Sequence, residues 1–266
     1  MPFTASHAAV ALPFVRTPLV PAAVAVGAMT PDLPLFVRGT PLTYASTHDW
    51  VRLPVTIGVA LVLLLVWRCL LRPAVRELSP RWLASRLPGE WDAGARASLR
   101  ETLRPDGLLW LLPALAIGVA SHILWDSFTH EGRWGVVALG LDQSWGPLPA
   151  YKWLQHGSSV LGLVLIGGWM LWWLSGRAAA SVDRVVPGWV RWAWWLSLPA
   201  ALVVAWGAGL AVLGPFTDAF TPQHLGYRVL PPAVALWGAL TLALCVAVQA
   251  VRTRRRADPA TARRRG

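Results

Sequence analysis

Long apolar runs dominate the chain, and five of them are 18 to 25 residues long. They cover residues 53–71, 107–125, 157–174, 189–213 and 229–251. Because a helix rises about 1.5 Å per residue, about 20 apolar residues are enough to cross the roughly 30 Å hydrocarbon core of a bilayer. The pattern therefore predicts an all-α fold, a polytopic transmembrane helical bundle with five strong spans.

Residues 8–29 form a weaker apolar segment that is interrupted by three prolines and one arginine: Pro13, Pro18, Pro21 and Arg16. Proline disrupts a helix interior, and a charge at mid-membrane is costly. Two interpretations stay open, a sixth span or a broken helical hairpin that returns to the side from which it entered. For these reasons we favour the hairpin, whose irregular backbone would be tolerated where protein covers it. The hairpin would place His7 and Asp32 on the same side of the membrane.

The composition supports a membrane protein. Hydrophobic residues make up 55% of the chain and charged residues only 14%, whereas a soluble protein has about 25% charged residues. The net charge of +11 resides mainly in arginines that lie between or after the apolar runs. This placement follows the positive-inside rule and argues against nucleic acid as a partner.

The arginines also predict the topology. Residues 72–106 and 252–266 each hold seven arginines, and residues 176–191 hold three. An alternating path through five spans puts all three segments in the cytoplasm and the other connections outside. We therefore predict one integral-membrane domain, residues 1–251, with the C-terminus in the cytoplasm. The loop 72–106 is interpreted as cytoplasmic and amphipathic, and the tail 252–266 as polybasic and cytoplasmic, both against anionic inner-leaflet lipids.

Residues 121–132 carry the candidate chemistry. His122, Asp126 and His130 recur every four residues, so on a helix they share one stripe roughly 80° wide. A histidine and a carboxylate one turn apart can bind one ion. His122 and His130 would be about 12 Å apart on a straight helix, too far to chelate one metal easily. Either the helix breaks near Thr129, or His130 serves a second ion or supports another ligand.

Further candidates lie on the same predicted outer side. His7, Asp32 and His48 could join His122, Asp126 and His130 as ligands of a divalent metal, and imidazole with carboxylate suits zinc, manganese or iron. Lys152 could hold a phosphate as a point charge, and His156 could ligate or shuttle protons. The simpler interpretation is that these polar groups bond between helices, with Lys152 reaching to the interface.

Four short motifs occupy residues 1–7 (MPFTASH), 27–32 (GAMTPD), 121–132 (SHILWDSFTHEG) and 151–159 (YKWLQHGSS). Together they resemble the motifs of a bacterial membrane protein family, domain of unknown function 4184 (DUF4184), and this resemblance implies a location in the bacterial inner membrane. A looser similarity links His7, Asp32, His48 and the His122/Asp126 pair to membrane-bound metal-dependent hydrolases. The ligand order is also similar to that of zinc-dependent phospholipase C, but His156 is followed one turn later by Val160, where those enzymes have an acid.

These observations predict a membrane-embedded, metal-dependent hydrolase with its site at the extracytoplasmic edge. Asp126 would be central as both ligand and catalytic group, with Lys152 and His156 as further catalytic candidates. The metal is expected to be zinc, and the substrate to be phosphate-bearing or lipidic. The alternative is a protein without enzymatic activity, which conducts ions or protons, binds a partner or serves as a structural component.

Overall fold

The computed structural model describes residues 3–257, and nearly all of their regular structure is helical. The α-helices are α1 Pro21–Met29, α2 Tyr44–Thr47, α3 Leu53–Val66, α4 Arg72–Leu78, α5 Arg81–Ala84, α6 Ala95–Thr102, α7 Pro105–Thr129, α8 Trp134–Ala138, α9 Ala150–Ser175, α10 Gly188–Leu213 and α11 Pro222–Ala257. Four 3₁₀ helices among the described residues cover Thr4–Phe14, Thr30–Leu35, Trp50–Arg52 and Gly89–Asp92, and a π-helical turn covers Trp67–Leu71. Two short antiparallel strands, β1 Ser144–Trp145 and β2 Leu148–Pro149, complete the described elements.

Within residues 3–257, five helical stretches are long and apolar enough to cross a membrane. They are Trp50–Leu78, Pro105–Thr129, Ala150–Ser175, Gly188–Leu213 and Pro222–Arg255. Each contains one of the five apolar runs identified in the sequence. The predicted all-α, polytopic helical bundle is therefore confirmed.

Prolines mark where four of these stretches begin. Pro105 and Pro222 are the first residues of α7 and α11, while Pro149 and Pro187 directly precede α9 and α10. Proline is favoured at a helix start because its φ angle already suits the helix and the N–H that it lacks would have no intrahelical partner there. The starts of these four helices are thus marked in the local sequence.

The N-terminal segment folds back on itself. The 3₁₀ helix Thr4–Phe14 leads through a turn into α1, and the Thr4 hydroxyl donates a hydrogen bond to Asp32 Oδ2 at 2.7 Å. Among the described residues before Trp50, no helix is long enough to span a membrane. These findings favour the proline-broken hairpin over a sixth span. Its entry into the bilayer stays a prediction.

The described chain packs as two compact units. Unit 1 is formed from Met1–Pro34, Gly39–Val66 and Arg100–Gly176, and unit 2 from Leu35–Arg38, Trp67–Leu99 and Arg177–Gly266. The single membrane domain predicted over residues 1–251 stays a prediction. All candidate ligands belong to unit 1.

In unit 1, two glycines bring α1 and α7 into backbone contact. A Cβ atom on Gly118 would lie 2.7 Å from the Ala28 nitrogen, and one on Gly27 would lie 2.5 Å from the Leu115 carbonyl oxygen. Such small residues allow helix backbones to approach closely in membrane proteins. The approach matters for the site because α7 carries His122 and Asp126, while α1 leads directly into Asp32.

Gly118→Ala is expected to destabilise the protein by about 1–3 kcal/mol, because the added methyl group has backbone rather than flexible side chains in its way. Thermal unfolding in detergent measures the change. The matched control is Gly167→Ala in α9, where an added Cβ meets nothing within 4 Å. Equal unfolding temperatures for the two variants would contradict the close approach of α1 and α7.

Unit 2 uses several arginines of the predicted cytoplasmic loop and tail internally. The buried Glu77 carboxylate accepts hydrogen bonds from the Val185 and Val186 N–H groups and from Arg252 Nε at 3.1 Å. Arg76 Nε lies 2.9 Å from Asp92 Oδ2. Helix α11 continues to Ala257, into the segment interpreted as a tail, and residues 258–266 lie outside the described residues.

Candidate metal centre

Five side chains from four segments of the chain converge in unit 1, and we call them the His–Asp cluster: His7, Asp32, His48, His122 and Asp126. His7 and Asp32 lie on the first two 3₁₀ helices, His48 follows α2, and α7 supplies the other two. Two groups, His7/His122/Asp126 and Asp32/His48/His122, each have ligand atoms within 4.8 Å of one another. These five predicted ligands are therefore close enough to share a site.

The separations suit the coordination shell of a small metal ion. His122 Nε2 lies 3.2 Å from His48 Nε2, 3.5 Å from Asp126 Oδ2 and 3.7 Å from Asp32 Oδ1. His48 Nε2 lies 3.3 Å from Asp126 Oδ2. With ligand bonds of about 2.0–2.2 Å, neighbouring donors of a tetrahedral site are about 3.3–3.6 Å apart. His7 Nε2, at 3.9 Å from Asp126 Oδ1, lies slightly farther out.

Backbone carbonyls orient two of the imidazoles. His122 Nδ1 lies 2.7 Å from the Ala28 carbonyl oxygen, and His48 Nδ1 lies 2.9 Å from that of Tyr44. A carbonyl can only accept, so each Nδ1 carries the proton, and in the neutral ring Nε2 keeps its lone pair. The two Nε2 atoms therefore face each other as acceptors, an arrangement that a cation between them would stabilise. Carbonyl partners of this kind are typical of metal-binding histidines.

Burial adds a second indication of a cation. Asp32 and Asp126 are only 1% and 2% exposed. With neutral histidines beside them, the two ionised carboxylates would carry two buried negative charges. Within the described chain, His7 Nε2, Asp32 Oδ1 and Asp126 Oδ1 are buried without a hydrogen-bond partner. Buried charges are costly unless they are paired or coordinate a metal. A divalent cation would balance the two carboxylates and engage the unpaired atoms.

The protonation state of His7 agrees with ligand chemistry, whereas burial works against the ionised form of Asp32. Burial, reinforced by the nearby His122, lowers the pKa of His7 to about 3, so its ring is neutral at pH 7. Burial also raises the pKa of Asp32, because the charged carboxylate loses its contact with water. A metal ligand must be a neutral imidazole or an ionised carboxylate. His7 already meets this condition, and a bound cation would favour it for Asp32.

His130 lies at the edge of the cluster. Helix α7 ends at Thr129, and His130 has extended backbone angles, φ −125° and ψ 135°. The break brings His130 Nδ1 to 3.5 Å from Asp126 Oδ2 and 3.2 Å from the Asp126 carbonyl oxygen. The helix break near Thr129 is therefore observed, while a role for His130 at a second ion or in support of another ligand stays open. His130 is in neither of the two ligand groups, and its role as a metal ligand stays a prediction.

The sequence reasoning missed three supporting groups. The Tyr44 hydroxyl donates to Asp126 Oδ2 at 3.1 Å, and its ring stacks on His48 with centroids 3.7 Å apart. Thr4 donates to Asp32, and the Ala28 carbonyl accepts from His122. Tyr44 and Thr4 precede His48 and His7 by four and three residues, a helical spacing that could have indicated them. Nothing in the sequence pointed to a backbone carbonyl.

A polar pocket of about 330 Å³ adjoins the cluster. It is lined by Tyr44, Thr129, His130, Glu131, Arg133, Tyr151, Lys152 and Gln155. Lys152 Nζ donates to Gln155 Oε1 at 3.1 Å, and the Gln155 amide donates to the Thr129 carbonyl oxygen at 3.2 Å. Two cationic side chains, Arg133 and Lys152, therefore lie in a pocket that shares Tyr44 and His130 with the surroundings of Asp126.

His156 lies elsewhere. It is exposed on α9 and belongs neither to the two ligand groups nor to the lining of the polar pocket. The structure thus brings His7, Asp32, His48, His122 and Asp126 together, places His130 and Lys152 beside them, and leaves His156 apart. The catalytic role expected for His156 stays a prediction.

The comparisons with known proteins identify a family. No curated protein and no solved structure matches the chain. The looser similarity to metal-dependent hydrolases therefore rests on the candidate ligands alone. Residues 1–253 match the family described as Domain of unknown function (DUF4184), a match that includes every member of the His–Asp cluster. The resemblance of the four motifs is confirmed, and the chain belongs to the DUF4184 family.

Proposed function

We propose that this protein is a membrane-embedded, metal-dependent hydrolase of phosphoesters. The observation that carries the proposal is the His–Asp cluster, whose buried nitrogen and oxygen lone pairs face one another. The adjoining polar pocket is lined by two cationic side chains, Arg133 and Lys152. Buried ionisable groups in a membrane protein are functional candidates by default, because burying them is costly. The donor set of imidazole nitrogen and carboxylate oxygen suits zinc, which we propose as the ion.

The residues around the proposed ion fall into two sets, those that would bind the metal and those that would bind the substrate. His48, His122, Asp126 and Asp32 would hold the cation, with His7 as a further donor. A divalent cation supplies a Lewis acid and lowers the pKa of a water molecule toward 7. Arg133 and Lys152 would attract the phosphate group, since both cations offer hydrogen-bond donors to anionic oxygens.

His130 and Tyr44 are placed to connect the pocket with Asp126. His130 Nε2 is buried without a hydrogen-bond partner in the described chain, and the residue lines the pocket. It is therefore positioned to exchange a proton with a substrate, as general acid–base groups do. Tyr44 restrains one oxygen of Asp126 through its hydroxyl group.

The proposed site faces the outside of the bacterial inner membrane. This orientation follows from the arginine-rich segments, which the positive-inside rule places in the cytoplasm together with the C-terminus. The His–Asp cluster is built from connections on the other side of the predicted spans and from the adjoining end of α7. Substrate would then reach the cluster from the extracytoplasmic face.

Metal content and hydrolysis test the proposal together. We expect purified full-length protein to hold about one divalent ion per chain and to hydrolyse bis(para-nitrophenyl) phosphate. Chelation should remove both properties, and added zinc should restore them. Membrane vesicles in the native orientation should hydrolyse externally added substrate without permeabilisation, whereas inverted vesicles should require it.

Protein that is folded but holds no stoichiometric metal under any loading condition would contradict the proposal. Metal binding without hydrolysis, together with cation or proton flux into protein-containing liposomes, would instead support the ion-pathway alternative. His224→Ala serves as a control, because this exposed histidine lies in unit 2 and belongs to neither ligand group. It should retain the metal content and the rate of the unmodified protein.

A further inference from the structure

A second, apolar opening adjoins the cluster. It is a groove of about 580 Å³ within unit 1, between the 3₁₀ helix Thr4–Phe14, α7 and α9. Apolar side chains form most of its wall: Ala9, Val10, Leu124, Trp125, Phe128, Leu161 and Leu165. The Trp125 indole donates to Ser158 Oγ at 3.2 Å and so links α7 with α9 along the groove. Its volume is in the range of ligand-binding pockets, about 300–1,000 Å³.

The groove reaches the cluster through His7. This side chain lines the groove, is only 6% exposed, and has a buried Nε2 without a hydrogen-bond partner in the described chain. Its ring stacks on His122 with centroids 4.0 Å apart. The groove therefore directly borders the proposed metal centre at His7.

Asp126 lies between the groove and the polar pocket. Its Oδ1 atom faces the groove-lining His7 at 3.9 Å. Its Oδ2 atom accepts from the pocket-lining Tyr44 at 3.1 Å and lies 3.5 Å from His130 Nδ1. The cluster thus separates an apolar compartment from a cationic one. A ligand that occupied both would need a hydrocarbon part and an anionic part joined at the cluster.

The surroundings of the groove indicate where its occupant comes from. Helices α7 and α9 are both candidate membrane spans, and the groove residues Leu124, Leu161 and Leu165 are 47%, 58% and 48% exposed. In a bilayer these side chains are in contact with lipid hydrocarbon. A lipid tail can therefore enter from the side without leaving an apolar medium, whereas a water-soluble substrate gains nothing from the groove.

We propose that the substrate is a membrane phospholipid or long-chain phosphate ester, held with its hydrocarbon chain in this groove and its phosphate between the cluster and the polar pocket. The inference rests on the proposed hydrolase function and names its substrate class. In the reaction, the oxygen of one water molecule forms a new bond to phosphorus and the ester bond from phosphorus to the leaving oxygen breaks. A proton of the water passes to the leaving oxygen, so atoms and charge balance.

Two substrates with the same leaving group isolate the contribution of the tail. Ethyl para-nitrophenyl phosphate and hexadecyl para-nitrophenyl phosphate would be compared on the zinc-loaded full-length protein in nanodiscs. Leu161→Trp places a larger side chain at the groove, and the control Val160→Trp changes the adjacent residue, which is 64% exposed and does not line the groove. We expect Leu161→Trp to raise KM for the hexadecyl ester about 10-fold and to leave the ethyl ester and the metal content unchanged. Val160→Trp should alter none of these values.

A binding measurement separates failure of this inference from failure of the proposed function. Hexadecyl phosphate with a photoreactive group in its tail should label Leu124 or Leu165, and Leu161→Trp but not Val160→Trp should suppress the labelling. Hydrolysis of the ethyl ester with no difference between the variants would overturn the inference and leave the hydrolase function intact. Absence of hydrolysis of both esters would overturn the hydrolase function. Labelling spread evenly over the exposed helices would overturn the assignment of the groove as the binding site for the hydrocarbon chain.

Discussion

Asp126→Asn is expected to abolish stoichiometric metal binding and to lower the rate of phosphoester hydrolysis on the order of 10³-fold, the loss seen when a major electrostatic contribution is removed. The substitution keeps the size of the side chain but removes its charge and one acceptor oxygen. Asp126 has a central place in the site, since His48, His122, His130 and Tyr44 all approach its Oδ2 atom. Metal analysis and initial rates of the purified variant measure the effect.

Asp142→Asn is the matched control, because the same chemical change is made at an exposed aspartate in the same unit. It should keep the metal content and rate of the unmodified protein. Thermal unfolding of both variants shows whether the fold is retained. A folded Asp126→Asn protein with normal metal content would contradict the assignment of Asp126 as a ligand, and full activity would contradict its central place in the site.

Lys152→Met combined with Arg133→Met is expected to lower kcat/KM for an anionic phosphoester by about 10- to 100-fold, mainly through KM. That range corresponds to about 1.4–2.8 kcal/mol. The two cations line the polar pocket beside Tyr44 and His130, so their loss removes attraction for the phosphate without removing a metal ligand. Steady-state kinetics on bis(para-nitrophenyl) phosphate, with metal analysis of the same sample, measure the change.

Two further variants control this double substitution. Arg16→Met removes an exposed cation outside the pocket and should have no effect on kcat/KM. Lys152→Arg keeps a positive charge at the same place and should retain most of the activity. A double variant with unchanged KM would show that the pocket does not bind the phosphate, whereas loss of metal would mean that the two cations support the cluster instead.

The spans were predictable because a membrane helix is encoded by a continuous run of apolar residues in the sequence. Eighteen or more apolar residues in sequence must cross the hydrocarbon core as a helix, since no other open structure satisfies its backbone there. The prolines at the start of α7, α9, α10 and α11 mark where connecting segments end, and this signal too is read from neighbouring residues alone. The close backbone approach of α1 and α7 at Gly27 and Gly118 was not predictable, because a glycine in an apolar run does not indicate which helix it will contact.

The ligand set was partly predictable for a similar reason. His122 and Asp126 share a helix face by spacing alone, and their closeness needs no tertiary information. His7, Asp32 and His48 could be assigned to the same side from the predicted topology, but not to the same point. The end of α7 at Thr129 was one of the open alternatives for His130 and is observed in the structure, whereas the role of His130 at the site stays a prediction.

The sequence by itself determined that this is a helical membrane protein of the DUF4184 family, with its candidate ligands in a few short motifs. Those properties depend on local hydrophobicity and on residue types at fixed spacing. The tertiary structure alone decided that five candidate ligands converge, that the Ala28 and Tyr44 carbonyls orient two imidazoles, and that a groove adjoins the cluster at His7 and a pocket adjoins it at Tyr44 and His130. These features depend on distances between residues far apart in the chain, which are set by packing rather than by local pattern.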